Sequence, residues 1–143
     1  MYVDILDTQM EFDESLVVES PGEIRKQIAA YERGDRRTFD LNVTIPEGFT
    51  GDVMEAMLAI PYGQTRTYGD IASDLATAPI AVGQACGRNP VPLVVPCHRV
   101  VGSGGKLTGF SGAEGVRTKR QLLELEGLAV NGKSVQTSLP TEN

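Results

Sequence analysis

The chain changes its periodicity at Pro46-Glu47-Gly48, and that break constrains the fold more than any other feature. Before it, Arg37 to Ile45 places Phe39, Leu41, Val43 and Ile45 at every second position, the spacing of a half-buried strand. After it, Val53, Met57 and Ile60 recur at helical spacing until Pro61-Tyr62-Gly63 ends the run. The implied organisation is an α/β segment over 1–46, a mainly helical domain over 47–130, and a polar, flexible tail over 131–143. Upstream of the break, residues 1–20 are acidic and weakly patterned, with Leu16-Val17-Val18 as a candidate short strand. A helix is expected over Glu23 to Tyr31, with Ile24 and Ile28 on one face and Gly34 just past its end.

Charge divides at nearly the same place. Residues 1–47 contain 11 acidic and 5 basic side chains and so carry the whole net charge of −6, whereas residues 48–143 are balanced. An acidic total argues against nucleic-acid binding, because phosphate contacts supply much of that affinity. A neutral C-terminal module can still present a local basic face. Acidity of this kind also accompanies proteins of saline cytoplasm, where net charge maintains solubility. At 143 residues, 41% hydrophobic and 22% charged, the composition is that of a soluble globular protein. No stretch approaches the roughly 20 apolar residues that span a bilayer, and the first residues lack a signal-peptide pattern. An intracellular, cytoplasmic protein with no membrane partner is expected.

The cysteines agree. Cys86 and Cys97 are the only two, too few for a disulfide framework. With His98 as the sole histidine, a zinc site built of Cys and His is short of ligands. No metal and no cofactor are expected.

Within the helical part, Thr67-Tyr68-Gly69-Asp70 has the form of a capping box, which places a helix over Asp70 to Leu75. After Ala76-Thr77-Ala78, Pro79 suits a first helical position, and Ile80 to Cys86 forms a second short helix. The pair is a helix-turn-helix candidate, although most helix pairs bind no DNA. A closing helix is expected over Val116 to Glu126, with Leu122, Leu123 and Leu125 apolar.

Between these helices stands Cys97, next to His98. A thiolate is the reactive form of cysteine, and a neighbouring imidazole generates it by taking the proton. Neighbours on an extended strand face opposite ways, so the pair needs a turn, which Pro90, Pro92 and Pro96 before it and glycines after it permit. A third group must orient the imidazole, and Glu126 is the best-placed carboxylate. The plain alternative is a buried structural cysteine beside a surface histidine.

From about Phe49 to Gly127 the chain resembles the C-terminal domain of the O6-alkylguanine-DNA alkyltransferases, or methylated-DNA–protein-cysteine methyltransferases. The resemblance rests on Ile60-Pro61-Tyr62-Gly63-Gln64-Thr65, Tyr68-Gly69-Asp70-Ile71-Ala72, Ala81-Val82-Gly83 and Asn89-Pro90. It continues through Val95-Pro96-Cys97-His98-Arg99-Val100-Val101-Gly102 and Leu122-Leu123-Glu124-Leu125-Glu126-Gly127. It implies single-turnover repair, in which Cys97 irreversibly takes the alkyl group from O6-alkylguanine in double-stranded DNA. His98 would accept the thiol proton through a water, and Glu126 would hold His98. Tyr68 would protonate guanine N3. The Ser111 backbone N–H would contact O6, and the carbonyls of Cys97 and Val100 would receive the exocyclic amine. Asn89 would tie the second helix to the active-site loop.

The resemblance also implies that the second helix, with Ala81, Gly83 and Ala85 small enough for close approach, enters the minor groove, and that the protein acts as a monomer. Cys86 is then a packing residue near the pocket.

Three departures stand out. Ile80 occupies the place of the family arginine that fills the gap left by a flipped base; an apolar wedge can unstack bases, and Arg88 could compensate from the far end of the helix. Phe110 replaces a tyrosine, and Ala113 to Thr118 is about two residues longer than the family pattern, enough to shift Glu126. Residues 1–46 resemble a trimmed version of the family's first domain. Two other readings compete: a non-catalytic sensor that binds alkylated DNA and recruits repair factors, and a Cys–His hydrolase.

Overall fold

The computed structural model describes residues 1–108, 112–132 and 134–135. The acidic start is ordered: Tyr2–Ile5 (β1) and Thr8–Glu11 (β2) form an antiparallel hairpin joined by Leu6 and Asp7. Both turn residues have positive φ, 50° and 61°, as a two-residue hairpin turn with matching twist requires. Asn-Gly is the usual signature of such a turn, and its absence hid the hairpin from sequence reading. Val3, Ile5 and Phe12 are buried.

Helix α1, Pro21–Glu32, follows with Ser20 capping the Glu23 N–H. It buries Ile24, Ile28 and Tyr31, each apolar side chain contributing roughly 1.5–3 kcal/mol. Gly34, at φ 81°, reverses the chain after the last turn, as expected.

The expected strand over Arg37 to Ile45 is not formed. Burial alternates through this stretch, yet Val43 makes only an isolated bridge to Val17. Gln27 holds the near end instead, accepting from the Asp40 N–H and the Arg36 guanidinium and donating to Asp40 O. Likewise Leu16-Val17-Val18 is no strand: Glu14–Leu16 is a 3-10 turn, and Val17 contributes the bridge.

Helix α2, Phe49–Leu58, starts immediately after the Pro46 break. The short strand β3, Arg66–Thr67, leads into α3, Tyr68–Asp74, and then α4, Pro79–Gly87. The capping box is present in full, Thr67 accepting from the Asp70 N–H and Asp70 from the Thr67 N–H. Pro79 opens α4 as its first residue. Helix α3 packs on α4, and α4 on α2.

Strand β4, Val100–Val101, pairs in parallel with β3, Arg66 opposite Val100 and Thr67 opposite Val101. Helix α5, Gly112–Leu125, is followed by a small hairpin of Val130–Asn131 (β5) and Ser134–Val135 (β6). Of the expected flexible tail, Asn131, Ser134 and Val135 are therefore in strands, because Val130 and Val135 bury themselves with Val101, Leu107 and Leu123. The main core runs across the Pro46 break, joining Val3, Ile24 and Tyr31 to Val53, Val82, Val95 and Leu122. The architecture is mixed helix and sheet, the helical part carrying the helix-turn-helix. Among the described residues no helix is long and apolar enough to cross a membrane.

Candidate active site

Pro96 precedes a 3-10 turn, Cys97–Arg99, which replaces the extended geometry that would send neighbouring side chains to opposite faces. The turn is pinned by Cys97 N donating to Val95 O at 2.8 Å and by the Val100 N–H donating to Cys97 O. The parallel β3–β4 pairing then sets Thr67, and with it Tyr68 at the head of α3, alongside the strand leaving the Cys97 turn.

Glu126, just past α5, is buried and gathers donors from four residues in three parts of the chain. His98 Nε2 lies 2.8 Å from its Oε2. Arg99 donates Nε to Oε1 at 2.9 Å and Nη2 to Oε2 at 2.9 Å. The Tyr31 hydroxyl donates to Oε2 at 2.6 Å and the Gly63 N–H to Oε1 at 3.0 Å. Gly63 is required there: its φ is 77°, and a Cβ would stand 3.3 Å from Glu126 O. Burial alone would raise the Glu126 pKa, but the hydrogen bonds from His98, Arg99 and Tyr31 outweigh it and hold the carboxyl well below its usual range. The longer stretch from Ala113 to Thr118 is taken up within α5, which begins at Gly112 and not at the expected Val116, and Glu126 still meets His98.

Because an ionised carboxylate only accepts, His98 Nε2 carries the proton. Nδ1 is left as the basic nitrogen, buried and with no hydrogen-bond partner among the described residues. Burial lowers the His98 pKa against the opposing pull of Glu126, so the ring is neutral near pH 7. Burial likewise raises the Cys97 thiol, partly offset by hydrogen bonding with Asn89 and by the Lys119 charge. The resting site therefore pairs a protonated thiol with a neutral imidazole, and the thiolate must be made at the moment of reaction.

Tyr68 is half-buried, its hydroxyl donating to Thr108 O at 3.3 Å and accepting from Lys119 Nζ at 3.1 Å. Its pKa is pushed up to about 12, mainly by burial. Asn89 bridges the end of α4 to the active-site stretch, donating to Val95 O at 2.8 Å and accepting from the Val91 N–H at 3.1 Å. Val100 is fully buried in β4. Cys86 is buried, donating to Met57 Sδ at 3.6 Å. Both cysteines are free. Cys97 also borders a groove of about 910 Å³ between β2 and the end of α4, walled by Met10, Phe12, Arg88, Asn89 and Pro92.

On α4, Ile80 is 73% exposed in the first turn, Arg88 is exposed at the opposite end, and Ala81 is partly covered. A Cβ at Gly83 would lie 4.0 Å from the Tyr68 ring, so this glycine faces Tyr68. Ser111 and Phe110 lie outside the described residues. Among the described residues no three His, Cys, Asp or Glu side chains gather as a metal site would need.

Sequence reading missed Arg99, Tyr31 and Lys119. Arg99 also donates Nη1 to Ile60 O at 2.7 Å and lies over the Tyr62 ring. Lys119, fully buried, donates Nζ to Thr108 O at 2.7 Å.

Comparison with known proteins shows the family. The family model described as 6-O-methylguanine DNA methyltransferase, DNA binding domain, matches residues 48–128. A methylated-DNA–protein-cysteine methyltransferase of Methanosarcina acetivorans is 48% identical over 109 residues, covering 73% of this chain and 68% of the relative. The solved Mycobacterium tuberculosis OGT in complex with DNA superposes with a TM-score of 0.68 at 45% identity, covering 73% of this chain and 66% of that one. The S. pombe Atl1 structure, in complex with damaged DNA containing O6-carboxymethylguanine, matches with a TM-score of 0.52 at 32% identity, over 57% of this chain and 78% of that one. This chain thus spans about two thirds of the length of the first two. It belongs to the 6-O-methylguanine DNA methyltransferase family.

Proposed function

We propose that this chain repairs alkylated DNA by a single, irreversible transfer of the alkyl group from O6-alkylguanine to Cys97. The observation that carries the reading is the buried Glu126–His98 pair, which leaves Nδ1 of a neutral imidazole as the base on the same 3-10 turn as the buried Cys97 thiol.

A stacked guanine cannot present its O6-alkyl carbon to a buried sulfur, so the nucleotide is flipped out at a cost of a few kcal/mol. The α3–α4 pair holds the duplex, with α4 in the minor groove and Ile80, Ala81, Gly83 and Arg88 as its contacts. His98 Nδ1 takes the Cys97 proton through a bridging water, and Glu126 stabilises the imidazolium. The sulfur forms a bond to the alkyl carbon as the carbon–O6 bond breaks, its electron pair moving onto the base. Tyr68 delivers a proton to guanine N3, and its hydroxyl is restored from the proton that left Cys97. The site balances: the thiol proton ends on guanine and the alkyl group on sulfur. The high resting pKa of Cys97 favours a strongly nucleophilic thiolate once formed. The carbonyls of Cys97 and Val100 receive the exocyclic amine, the Ser111 N–H meets O6, and Asn89 steadies the loop. A thioether is not reversed by thiol exchange, so each molecule acts once, as a cytoplasmic monomer on double-stranded DNA.

The test is intact-protein mass after incubation with an O6-methylguanine duplex. One added methyl, mapped to Cys97 and absent in Cys97→Ala, is expected; methyl transfer that survives that substitution overturns the assignment. The apolar, exposed Ile80 favours one second reading, a sensor of alkylated DNA. Its signature is tight binding of the alkylated duplex with no adduct on the protein.

A further inference from the structure

The Cys97–His98–Glu126 group lies inside the segment that the family model matches, yet one donor to Glu126 comes from outside it. Tyr31, in the last turn of α1, is fully buried. Its ring packs against Phe39 at 5.3 Å and edge-on against Tyr62 at 6.1 Å. This packing aims the hydroxyl at Glu126 Oε2, and its 2.6 Å contact is shorter than those of His98 Nε2 and Arg99 Nη2 to the same oxygen, 2.8 and 2.9 Å.

We propose that Tyr31 is a positioning residue for alkyl transfer: its hydroxyl shares Glu126 Oε2 with His98, fixes the carboxylate against the imidazole, and thereby sets how readily His98 takes a proton. The proposal rests on the reading that Cys97 is the acceptor. A carboxylate oxygen has a limited charge to distribute among its donors, and the shortest, straightest ones withdraw most of it. With Tyr31 and Arg99 both on Glu126, less negative charge faces His98, so the ring stays neutral and available as a base. The groups that surround the three residues are few. His98 faces Glu126, Arg99 and Lys119, and Tyr31 faces Glu126, Arg99 and Tyr62. Burial, with the Glu126 charge beside it, pushes Tyr31 far above the usual tyrosine range, so its hydroxyl remains a donor throughout. In this arrangement the acidic N-terminal segment contributes chemistry to the site as well as core.

The chain has one histidine, so a nitrogen-15 NMR titration of histidine-labelled protein reads His98 alone. The variants are Tyr31→Phe, which removes only the hydroxyl, and Phe39→Leu, which loosens the same aromatic cluster without touching Glu126. In Tyr31→Phe the His98 titration midpoint is expected to rise by about half a unit to one unit, because Glu126 then bears more charge toward the ring. The rate of Cys97 adduct formation with an O6-methylguanine duplex should fall threefold or more from pH 8 to pH 6 relative to wild type. Phe39→Leu should lower the unfolding midpoint and leave the His98 titration in place. A Tyr31→Phe protein that is folded and titrates like wild type, or moves no more than Phe39→Leu, overturns the proposal. Failure of the underlying reading shows separately, as absence of a Cys97 adduct in wild type, whatever the titrations give.

Discussion

Lys119 donates from a fully buried Nζ to the Tyr68 hydroxyl at 3.1 Å, and the same amine donates to Thr108 O at 2.7 Å. A buried ammonium is expensive, and burial lowers the Lys119 pKa to about 8, against the opposing influence of Cys97 and Cys86. That cost is retained where a cation stabilises a developing tyrosinate or thiolate.

Replacing Lys119 with Met should therefore slow transfer about ten- to a hundredfold without unfolding the protein. The pH sign follows from linkage. Between about 8 and 10.5 the unfolded chain holds the lysine proton that the folded one has released, so stability from this group rises with pH across that window and its penalty is complete below it. The penalty is on the order of 3 kcal/mol, offset by the hydrogen bonds. Urea unfolding at pH 7 and pH 10 should show the wild type gaining on Lys119→Met as pH rises. A constant difference would mean that the folded chain keeps the lysine proton as the unfolded one does, so that burial does not lower this pKa.

Glu126→Gln should lose about 3–5 kcal/mol, since the buried Arg99 guanidinium is left without its countercharge. The variant amide also presents a donor to donors, so transfer should fall by at least a hundredfold. The folded-state pKa of Glu126 is depressed, so its stabilisation is complete above the ordinary carboxylate value of about 4.3 and is lost as pH falls below it. His98 has a depressed pKa too, which extends the acid loss upward toward 6.5. Acid unfolding followed by circular dichroism should be steep in wild type and flatter in the variant over the lower part of that range.

Ile80 is free of the core at 73% exposure, so Ile80→Arg should leave stability within about 0.5 kcal/mol. On DNA it adds a cation to the first turn of α4. Binding of an alkylated duplex should tighten, and the slope of log affinity against log salt should steepen by about 0.9, as for one added phosphate contact. A salt slope that does not change would place residue 80 away from the backbone, at the base step. In that case Ile80→Ala should weaken binding.

The helices were legible because their ends carry strong local chemistry, as at Thr67, Asp70 and Pro79. The first hairpin was not, because Leu6 and Asp7 adopt a turn that ordinarily advertises itself with Asn-Gly. The alternation from Phe39 to Ile45 was real, but burial alternates along any extended segment laid on a core, and a ladder also needs a partner. Cys97, His98 and Glu126 were readable from residue type, order and family resemblance. Lys119 could have been read: with Leu122, Leu123 and Glu126 it forms the i, i+3, i+4, i+7 stripe of the buried face. A charge on that stripe signals a buried polar contact. Tyr31 gave no such signal, since an aromatic three residues after Ile28 reads as ordinary core, and only the tertiary fold brings it to Glu126.

Gly51 shows how closely the N-terminal segment is fitted to the helical part. A Cβ there would stand 1.8 Å from Pro46 O, 2.9 Å from Pro46 C and 3.2 Å from Ile45 Cγ2. The first two are backbone atoms, so no rotamer change relieves the clash, and α2 must move off the chain that leads into it. Gly51→Ala should cost about 2–4 kcal/mol, or roughly 6–12 °C in Tm for a chain of this size. Gly22 is the control. It also lies in a helix, but its Cβ would meet only Ser20 Oγ at 3.8 Å, so Gly22→Ala should be neutral or stabilising by up to about 1 kcal/mol. Parallel thermal melts decide the matter. Equal melting points for the two variants would show that the Pro46 junction yields, and that the two segments are joined loosely there.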